Sequence, residues 1–265
     1  MTPWITKPVP FNIGQGAAAA GAGGVIYPDS CGTDADGTAS GAFVTTGGKF
    51  GDAISFDGVD DYVACNGLAV PGTCGMDQAG TVSIWADFST YGVNGSALWA
   101  FGDADGNTFI ELGYSSDGRL HGQCREAGTK YWACKTASGM FTTTGQYLCT
   151  MTHDGIAPKI YVNAVESTTF SINTDKTKWV GDISGLDEFR LGMQYHSGGA
   201  DGMFTGLLSD IGIYDKDIGS SLISDLYDGG TGAQISSIST DGCIAYYEPT
   251  ALTGTTLSNN ATPTS

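Results

Sequence analysis

Hydrophobic and polar residues alternate over many short stretches of the chain. In Thr81–Phe88, the apolar side chains of Val82, Ile84, Ala86 and Phe88 occupy every second position. This period of two is typical of a β-strand with one buried face. Asp-Gly and Gly-Gly pairs, which favour tight turns, separate the stretches. Short alternating segments joined by turns, without a long helical period, predict a β-sandwich or β-barrel.

Three segments in the last quarter of the chain refine this prediction. Residues 217–227 carry apolar side chains one helical turn apart and precede Asp-Gly-Gly, so we expect one short helix there. Within Gly206–Tyr214 the apolar face shifts by one position around Ser209-Asp210, which predicts a β-bulge. Residues 242–247 are predicted to form the last strand.

The two ends differ in composition from the central region. Residues 1–23 are predicted to be an extended N-terminal arm followed by a Gly/Ala tether, because prolines exclude a helix and glycines loosen the chain. Residues 24–248 contain no linker and are expected to form one domain, and residues 249–265 are a polar tail. We expect the apolar side chains of the arm to anchor it on a partner chain, and the alternative is that the arm folds back onto its own domain. These residues are Trp4, Ile5, Val9, Phe11 and Ile13.

Charge and composition exclude several classes of protein. The 11 Lys and Arg residues and 28 Asp and Glu residues give a net charge of −17. This balance argues against a basic surface for nucleic acid or anionic membranes. We expect no membrane span, since no apolar run reaches about 18 residues. The first ten residues also lack the basic-then-apolar pattern of a signal peptide.

The seven cysteines leave the redox state open. Their spacing does not resemble a zinc site. Three disulfides are compatible with the predicted strands: Cys65 with Cys74, Cys124 with Cys134, and Cys31 with Cys243. The alternative, which we favour, is seven reduced and mostly buried thiols, as in a protein that folds in a cytoplasm.

Several segments, in a fixed order, resemble the LamG-like, concanavalin A-type lectin/glucanase family. The resemblance covers roughly residues 24–230 and implies a jelly-roll β-sandwich of two antiparallel sheets. The segments that carry it are Gly48–Val63 with its Phe-Asp-Gly-Val-Asp-Asp-Tyr turn, Thr81–Trp85, Gln146–Gly155, Lys159–Asn163, Phe189–Gly192, Phe204–Tyr214 and Ile218–Gly230.

Catalysis is not expected of this chain. Glucanases of the family carry Glu-x-Asp-x-x-Glu on one strand, so that two carboxylates flank the sugar bond. The sequence has no such spacing, so we assign no catalytic residue.

Binding residues are predicted for sugar and for calcium. Sugars stack on exposed aromatic rings, and the candidates are Tyr131, Trp132, Tyr195 and His196, with burial in the core or an interface as the favoured alternative. Oxygen-rich turns suit Ca²⁺, and the candidates are Asp103, Asp105 and Asn107, then Asp57, Asp60 and Asp61. An ordinary Asp/Asn turn is the favoured alternative for both clusters.

Three functions follow, in order of preference. LamG-like domains recur in bacteriophage virions, so the resemblance implies a non-enzymatic phage structural protein, a capsid decoration, head-fibre or tail surface protein. It would fold in the host cytoplasm and sit on the virion surface. Its expected partners are other virion proteins, further copies of itself and a host-surface glycan. The alternatives are a secreted, extracellular Ca²⁺-dependent carbohydrate-binding module and, third, a glycoside hydrolase.

Overall fold

The computed structural model describes residues 26–27, 37–69, 75–88, 96–104, 107–141, 145–196, 199–238 and 241–248. The N-terminal arm, the C-terminal tail, Cys31, Cys74 and Asp105 lie outside this part of the chain.

The strands, in chain order, are β1 (Ile26–Tyr27), β2 (Gly37–Ser40), β3 (Phe43–Gly48), β4 (Gly51–Asp57), β5 (Tyr62–Ala64), β6 (Gly80–Phe88), β7 (Ser96–Gly102), β8 (Phe109–Ser115), β9 (Arg119–Glu126), β10 (Thr129–Lys135), β11 (Gly145–His153), β12 (Pro158–Val162), β13 (Val165–Glu166), β14 (Thr169–Asn173), β15 (Glu188–Leu191), β16 (Gln194–His196), β17 (Gly199–Asp201), β18 (Thr205–Tyr214) and β19 (Cys243–Tyr247).

Two antiparallel sheets form the body of the molecule. The first has nine strands in the order β1-β2-β5-β15-β7-β8-β9-β10-β14. The second has the order β13-β12-β11-β6-β18-β4-β3, with β19 also paired to β18. β16 and β17 form a separate hairpin. The predicted all-β sandwich of two antiparallel sheets is therefore confirmed.

The bulge predicted in β18 is present and explains how this strand holds two partners on one edge. The register with β6 shifts between Ser209 and Gly212, and Asp210 has a φ of 47°. Before the bulge β18 pairs with β4, and after it with β19. The last strand predicted from the sequence thus pairs with the part of β18 that β4 leaves unpaired.

The main core lies between the two sheets. Val82, Ile84, Ala86 and Phe88 of β6 all point into it, as their alternation predicts. Phe88 makes edge contacts with neighbouring aromatic rings, with centroids 5.8 Å away for Phe204 and 5.2 Å for Phe141. Such edge-to-face geometry adds to the gain from burying apolar area.

A helix covers the outer face of the eight-stranded sheet, which we call the covered face. The predicted helix is confirmed as α1, Gly219–Tyr227, starting two residues later than expected. Its Ile223 and Leu226 pack on Trp85, Leu148 and other side chains of the sheet. Short 3-10 turns flank it and occur elsewhere, at Asn66–Ala69, Val180–Asp182, Asp228–Gly230 and Ile235–Ser237. None of the helices in the described part of the chain has the length and hydropathy to cross a bilayer.

The structure does not join Cys124 and Cys134, whose disulfide was one of two arrangements that the sequence left open. Both side chains are free thiols that point into the main core. Cys124 lies opposite Trp132, and Cys134 lies opposite Gly122, so the two cysteines are diagonal neighbours. Diagonal positions on adjacent strands are about 7–8 Å apart, beyond the usual reach of a disulfide. The pairings of Cys65 with Cys74 and of Cys31 with Cys243 each include a residue outside the described part and stay predictions.

Candidate functional site

The outer face of the nine-stranded sheet over β8, β9 and β10 carries polar side chains, and no helix of the described residues covers it. We call it the open face. A groove of about 270 Å³ runs along it over β9 and β10. The residues of this β9–β10 groove used below are His121, Gln123, Lys130, Ala133, Lys135 and Ser171.

A β-bulge brings two lysines to the same side of β10. Lys130 and Lys135 are five residues apart, so strict alternation would point them to opposite faces. The register with β9 shifts between Lys130 and Trp132, which inserts Tyr131 as an extra residue. Lys130 therefore lies opposite Arg125, and Lys135 lies opposite His121. Both lysines line the groove as a result.

A buried carboxylate holds the floor of the groove in place. Glu111 of β8 is 1% exposed and lies opposite Gln123 of β9. Its Oε1 accepts a hydrogen bond from Nε2 of Gln123 and lies 3.3 Å from Nε2 of His121. Because the Gln123 amide is fixed at its nitrogen, its carbonyl oxygen remains available to a ligand.

Gly113 makes room for this arrangement. A Cβ atom at that position would lie 2.7 Å from Cε1 of His121 and 2.8 Å from the carbonyl oxygen of Ser96. The glycine therefore lets the imidazole fold down over β8. Within the described part of the chain, Oε2 of Glu111 and Nδ1 of His121 are buried without a hydrogen-bond partner. Buried polar atoms of this kind are uncommon and are typical of functional positions.

The charges that line the groove are positive. Lys135 lies 3.3 Å from a carboxylate oxygen of Asp117, at a side chain 43% exposed. Interactions with Ser115, Lys135 and Arg119 hold the pKa of Asp117 below its ordinary value. Among the described residues, Lys130 has no ion-pair partner. The described residues of the lining include no carboxylate, although the chain carries 28 Asp and Glu residues.

Beyond the open face, the β16–β17 hairpin covers the outer surface of the same sheet at β7. Its backbone crosses β7 at Gly102, where a Cβ atom would collide with the carbonyl oxygen of Tyr195. Beside it, the guanidinium of Arg190 lies between two tyrosine rings, 4.2 Å from the centroid of Tyr62 and 4.0 Å from that of Tyr195. Nε of Arg190 donates to Glu188 at 2.8 Å. These contacts use one side of the Tyr195 ring.

The aromatic residues predicted to stack on sugars do not form one site. Trp132 is 0% exposed in the main core, and its Nε1 donates to the carbonyl of Lys178. It therefore presents no exposed ring to a sugar, and core burial was the favoured alternative for it. Tyr131 is half-buried with the ammonium of Lys178 5.1 Å from its ring centroid. Tyr195 covers β7, three strands away in the sheet. The side chain of His196 lies outside the described set.

The two predicted calcium clusters differ in whether their ligand atoms are free to bind an ion. Carboxylate oxygens of Asp57, Asp60 and Asp61 all lie within 4.8 Å of one another. Burial, and then the neighbouring charges of Asp57 and Asp60, raises the pKa of Asp61. Hard oxygen donors this close suit Ca²⁺. In the other cluster, Oδ1 of Asn107 accepts a hydrogen bond from Arg125, so this ligand atom is already engaged.

A second depression, of about 380 Å³, lies at the start of α1. Its charged lining residues include Lys216, Asp217 and Asp241. Lys216 pairs with Asp241, and Asp217 lies 3.8 Å from Lys159. These ion pairs engage most of its charged groups, and Asp225 adds a further negative charge. We place the candidate site in the β9–β10 groove instead.

The sequence analysis missed the residues of this groove. Two signals were available. Glu111 is a lone carboxylate in the apolar run Phe109–Leu112, and His121, Gln123 and Arg125 alternate with apolar positions in β9. The lysines gave no signal, because their common face depends on a bulge that the sequence does not announce.

The fold agrees with the comparisons. Residues 57–224, more than half of the chain, match the family model of the concanavalin A-like lectin/glucanases superfamily. The chain belongs to this superfamily. A comparison with curated proteins finds no relative by sequence.

Similar solved structures are found at low identity. The CBM40 of the Ruminococcus gnavus IT-sialidase, bound to α2,3-sialyllactose, is 15% identical, with a TM-score of 0.51 over 69% of this chain and 94% of that one. Domain 4 of the GH43 extracellular arabinanase AbnA from Geobacillus stearothermophilus, in complex with arabinotriose, is 18% identical, with a TM-score of 0.50 over 76% and 86%. The K499G mutant of the Streptococcus pneumoniae NanB sialidase is 16% identical, with a TM-score of 0.54 over 68% and 27%. At these identities the similarity shows the fold.

Proposed function

We propose that this chain is a non-catalytic carbohydrate-binding module whose ligand lies in the β9–β10 groove. The observation that carries the proposal is the preformed floor, in which Glu111 fixes the amide of Gln123 and the ring of His121 beside an open groove. Polar groups held in one orientation by a supporting shell bind ligands at low entropic cost. Two solved neighbours bear titles that name a bound oligosaccharide, which supports this class of ligand.

The chemistry of the groove favours binding over hydrolysis. A glycosidase needs two carboxyl groups on either side of the sugar bond. The groove lining offers lysines, a histidine and an amide instead. Glu111 lies beneath them with almost no exposed surface, and both of its neighbours are hydrogen-bond donors. A role in positioning the floor fits this environment.

The test is a binding screen against immobilised oligosaccharides that includes sialyllactose and arabinotriose, followed by calorimetry on each hit. Gln123→Ala removes the oriented amide and should weaken binding about tenfold, because a hydrogen bond in a buried site contributes about 0.5–1.5 kcal/mol. Gln146→Ala, on β11 of the other sheet, is the matched control and should leave affinity unchanged. Equal loss in both variants, or no hit in the screen, would contradict the proposal.

The same measurements decide whether calcium takes part. The screen is run with Ca²⁺ and again with a chelator. Dependence on Ca²⁺ that disappears in Asp61→Asn would place the ion at the cluster of Asp57, Asp60 and Asp61.

A place in a virion, and partners there, stay predictions from the sequence. They rest on the apolar arm and on the family resemblance rather than on the described residues. Deleting residues 1–15 should leave the sandwich folded and prevent incorporation into a particle. Normal incorporation of the truncated chain would remove the arm as the anchor.

A further inference from the structure

The β9–β10 groove has a charge pattern that selects among saccharides. Lys130 and Lys135 stand on the same face of β10, on either side of Ala133. Their partners on β9 are four residues apart, which sets the two lysines about 13 Å apart along the strands. The small side chain of Ala133 leaves the middle open, opposite the Gln123 amide. The arrangement is a trough with a positive group at each end and neutral donors and acceptors between them.

The groove also lacks the means to bind a neutral sugar by stacking. Among the residues that the structure describes, no aromatic side chain lines it. Trp132 points into the core, and Tyr131 lies at the bulge under Lys178. Affinity must therefore come from hydrogen bonds and charge. Hydrogen bonds to charged groups are roughly twice as strong as those between neutral groups.

The net charge of −17 does not cancel this local preference. Charges more than about 8 Å away are largely screened at physiological ionic strength, so the nearest groups decide. Asp117 partly neutralises Lys135. Glu111 lies on the same face as Gln123 in the neighbouring strand, and its Oε1 is engaged by the Gln123 amide and the His121 ring. Lys130 is the lysine with no carboxylate against it in the described structure, so it should dominate.

We infer that the β9–β10 groove binds an acidic sugar, with the carboxylate of the sugar paired to Lys130 and its hydroxyls bonded to Gln123 and the neighbouring polar groups. This inference rests on the proposed function and narrows its ligand to carboxylated saccharides. Lys135 contributes less, because its ammonium already contacts Asp117.

The experiment uses the full chain and a panel of oligosaccharides that carry uronic or sialic acids. Each is measured beside the same oligosaccharide with its carboxyl group reduced to an alcohol. We expect the reduced form to bind at least tenfold more weakly. Lys130→Gln should reduce affinity for the acidic form by a similar factor and leave affinity for the reduced form unchanged. Lys135→Gln should have a smaller effect.

The matched control is Lys216→Gln, which removes the same charge next to the eight-stranded sheet. It should leave binding unchanged, which separates the groove from a general effect of net charge. Melting temperatures within a degree or two of the wild type show that each variant folds.

The outcomes separate the two proposals. Equal affinity for acidic and reduced forms, or unchanged binding by Lys130→Gln, overturns the acidic-sugar inference and leaves a module for neutral glycans. Binding of sulfated but not carboxylated sugars overturns it as well. If no saccharide of either kind binds, the proposed function fails together with the inference.

Discussion

The two outer faces of the sandwich are built from the same kind of strand and are used differently. The covered face buries Trp85, Leu148 and Tyr246 under α1 and the adjoining 3-10 turns. The open face over β8–β10 carries lysines, a histidine and amides around a groove. Burying apolar area stabilises the fold, whereas polar groups held at a surface contribute little to stability and remain available to a ligand. Under the proposed function, the ligand site therefore lies on the opposite side of the molecule from α1 and its packing.

The largest loss of stability should follow from removing a large buried side chain of the covered face. Trp85 is 2% exposed, its ring stacks with that of Tyr227 at 6.2 Å, and the ammonium of Lys49 lies 4.1 Å from its centroid. Trp85→Ala leaves a large cavity and should lower the free energy of unfolding by about 3–5 kcal/mol, measured by denaturant titration.

Two further variants keep that prediction testable. Trp85→Phe retains most of the apolar volume and should fold with a smaller loss, even if Trp85→Ala does not fold. Lys130→Gln on the open face should change stability by less than about 0.5 kcal/mol. A comparable loss from Lys130→Gln would mean that the open face is also part of the structural core.

An intermediate effect is expected at the bulge of β18. Burial raises the pKa of the Asp210 carboxyl to about 7, and the hydroxyl of Tyr246 donates to it at 2.6 Å. The folded state therefore holds this proton more tightly than the unfolded chain, where the pKa is near 4. The stabilising contribution is complete below about pH 4 and is lost as the pH rises towards 7.

Asp210→Asn removes this dependence and keeps an acceptor for Tyr246. Asparagine also tolerates the positive φ of this position. Relative to the wild type, the variant should gain a few kcal/mol of stability between pH 4 and pH 8. Burial lowers the pKa of His153, and this group acts in the opposite direction in both proteins, so it cancels in the difference. If the difference in unfolding free energy between the variant and the wild type stayed constant across this pH range, the pKa of Asp210 would not change on folding.

The smallest expected effect concerns the reactivity of the buried thiols, which can be measured on the wild-type protein. Burial raises the pKa values of Cys124 and Cys134 to about 12. Since the thiolate is the reactive form, neither should be alkylated in the native protein at pH 8, and both should react once the chain is unfolded. Peptide mapping without reductant should recover the two as separate peptides. A peptide crosslinked through Cys124 and Cys134 would contradict the register of β9 and β10.

Strands and helices that keep one hydrophobic period along their whole length could be predicted from the sequence. β6 keeps strict alternation from Val82 to Phe88, and α1 keeps its helical period, so both were predicted nearly to their ends. The bulge in β18 was also predictable, because the slip at Ser209-Asp210 interrupts a clear pattern on both sides.

The candidate site was not predictable in the same way. The bulge at Tyr131 lies in Lys-Tyr-Trp-Ala-Cys-Lys, where polar and apolar residues are too mixed to reveal the slip. Whether Trp132 faces the core or the surface depends on that slip, which is why the sequence left both alternatives open. The contact of Glu111 with His121 depends on the register of two strands, which alternation alone does not determine.

The position of β18 has a consequence for how the protein is made. This strand lies between β6 and β4 in the sheet, yet it follows them by more than a hundred residues in the chain. Pairings over such separations are slow to form. During synthesis, β4 and β6 must leave the ribosome and wait with one edge each exposed until β18 emerges to join them. That interval is when the growing polypeptide is most open to mispairing with other chains.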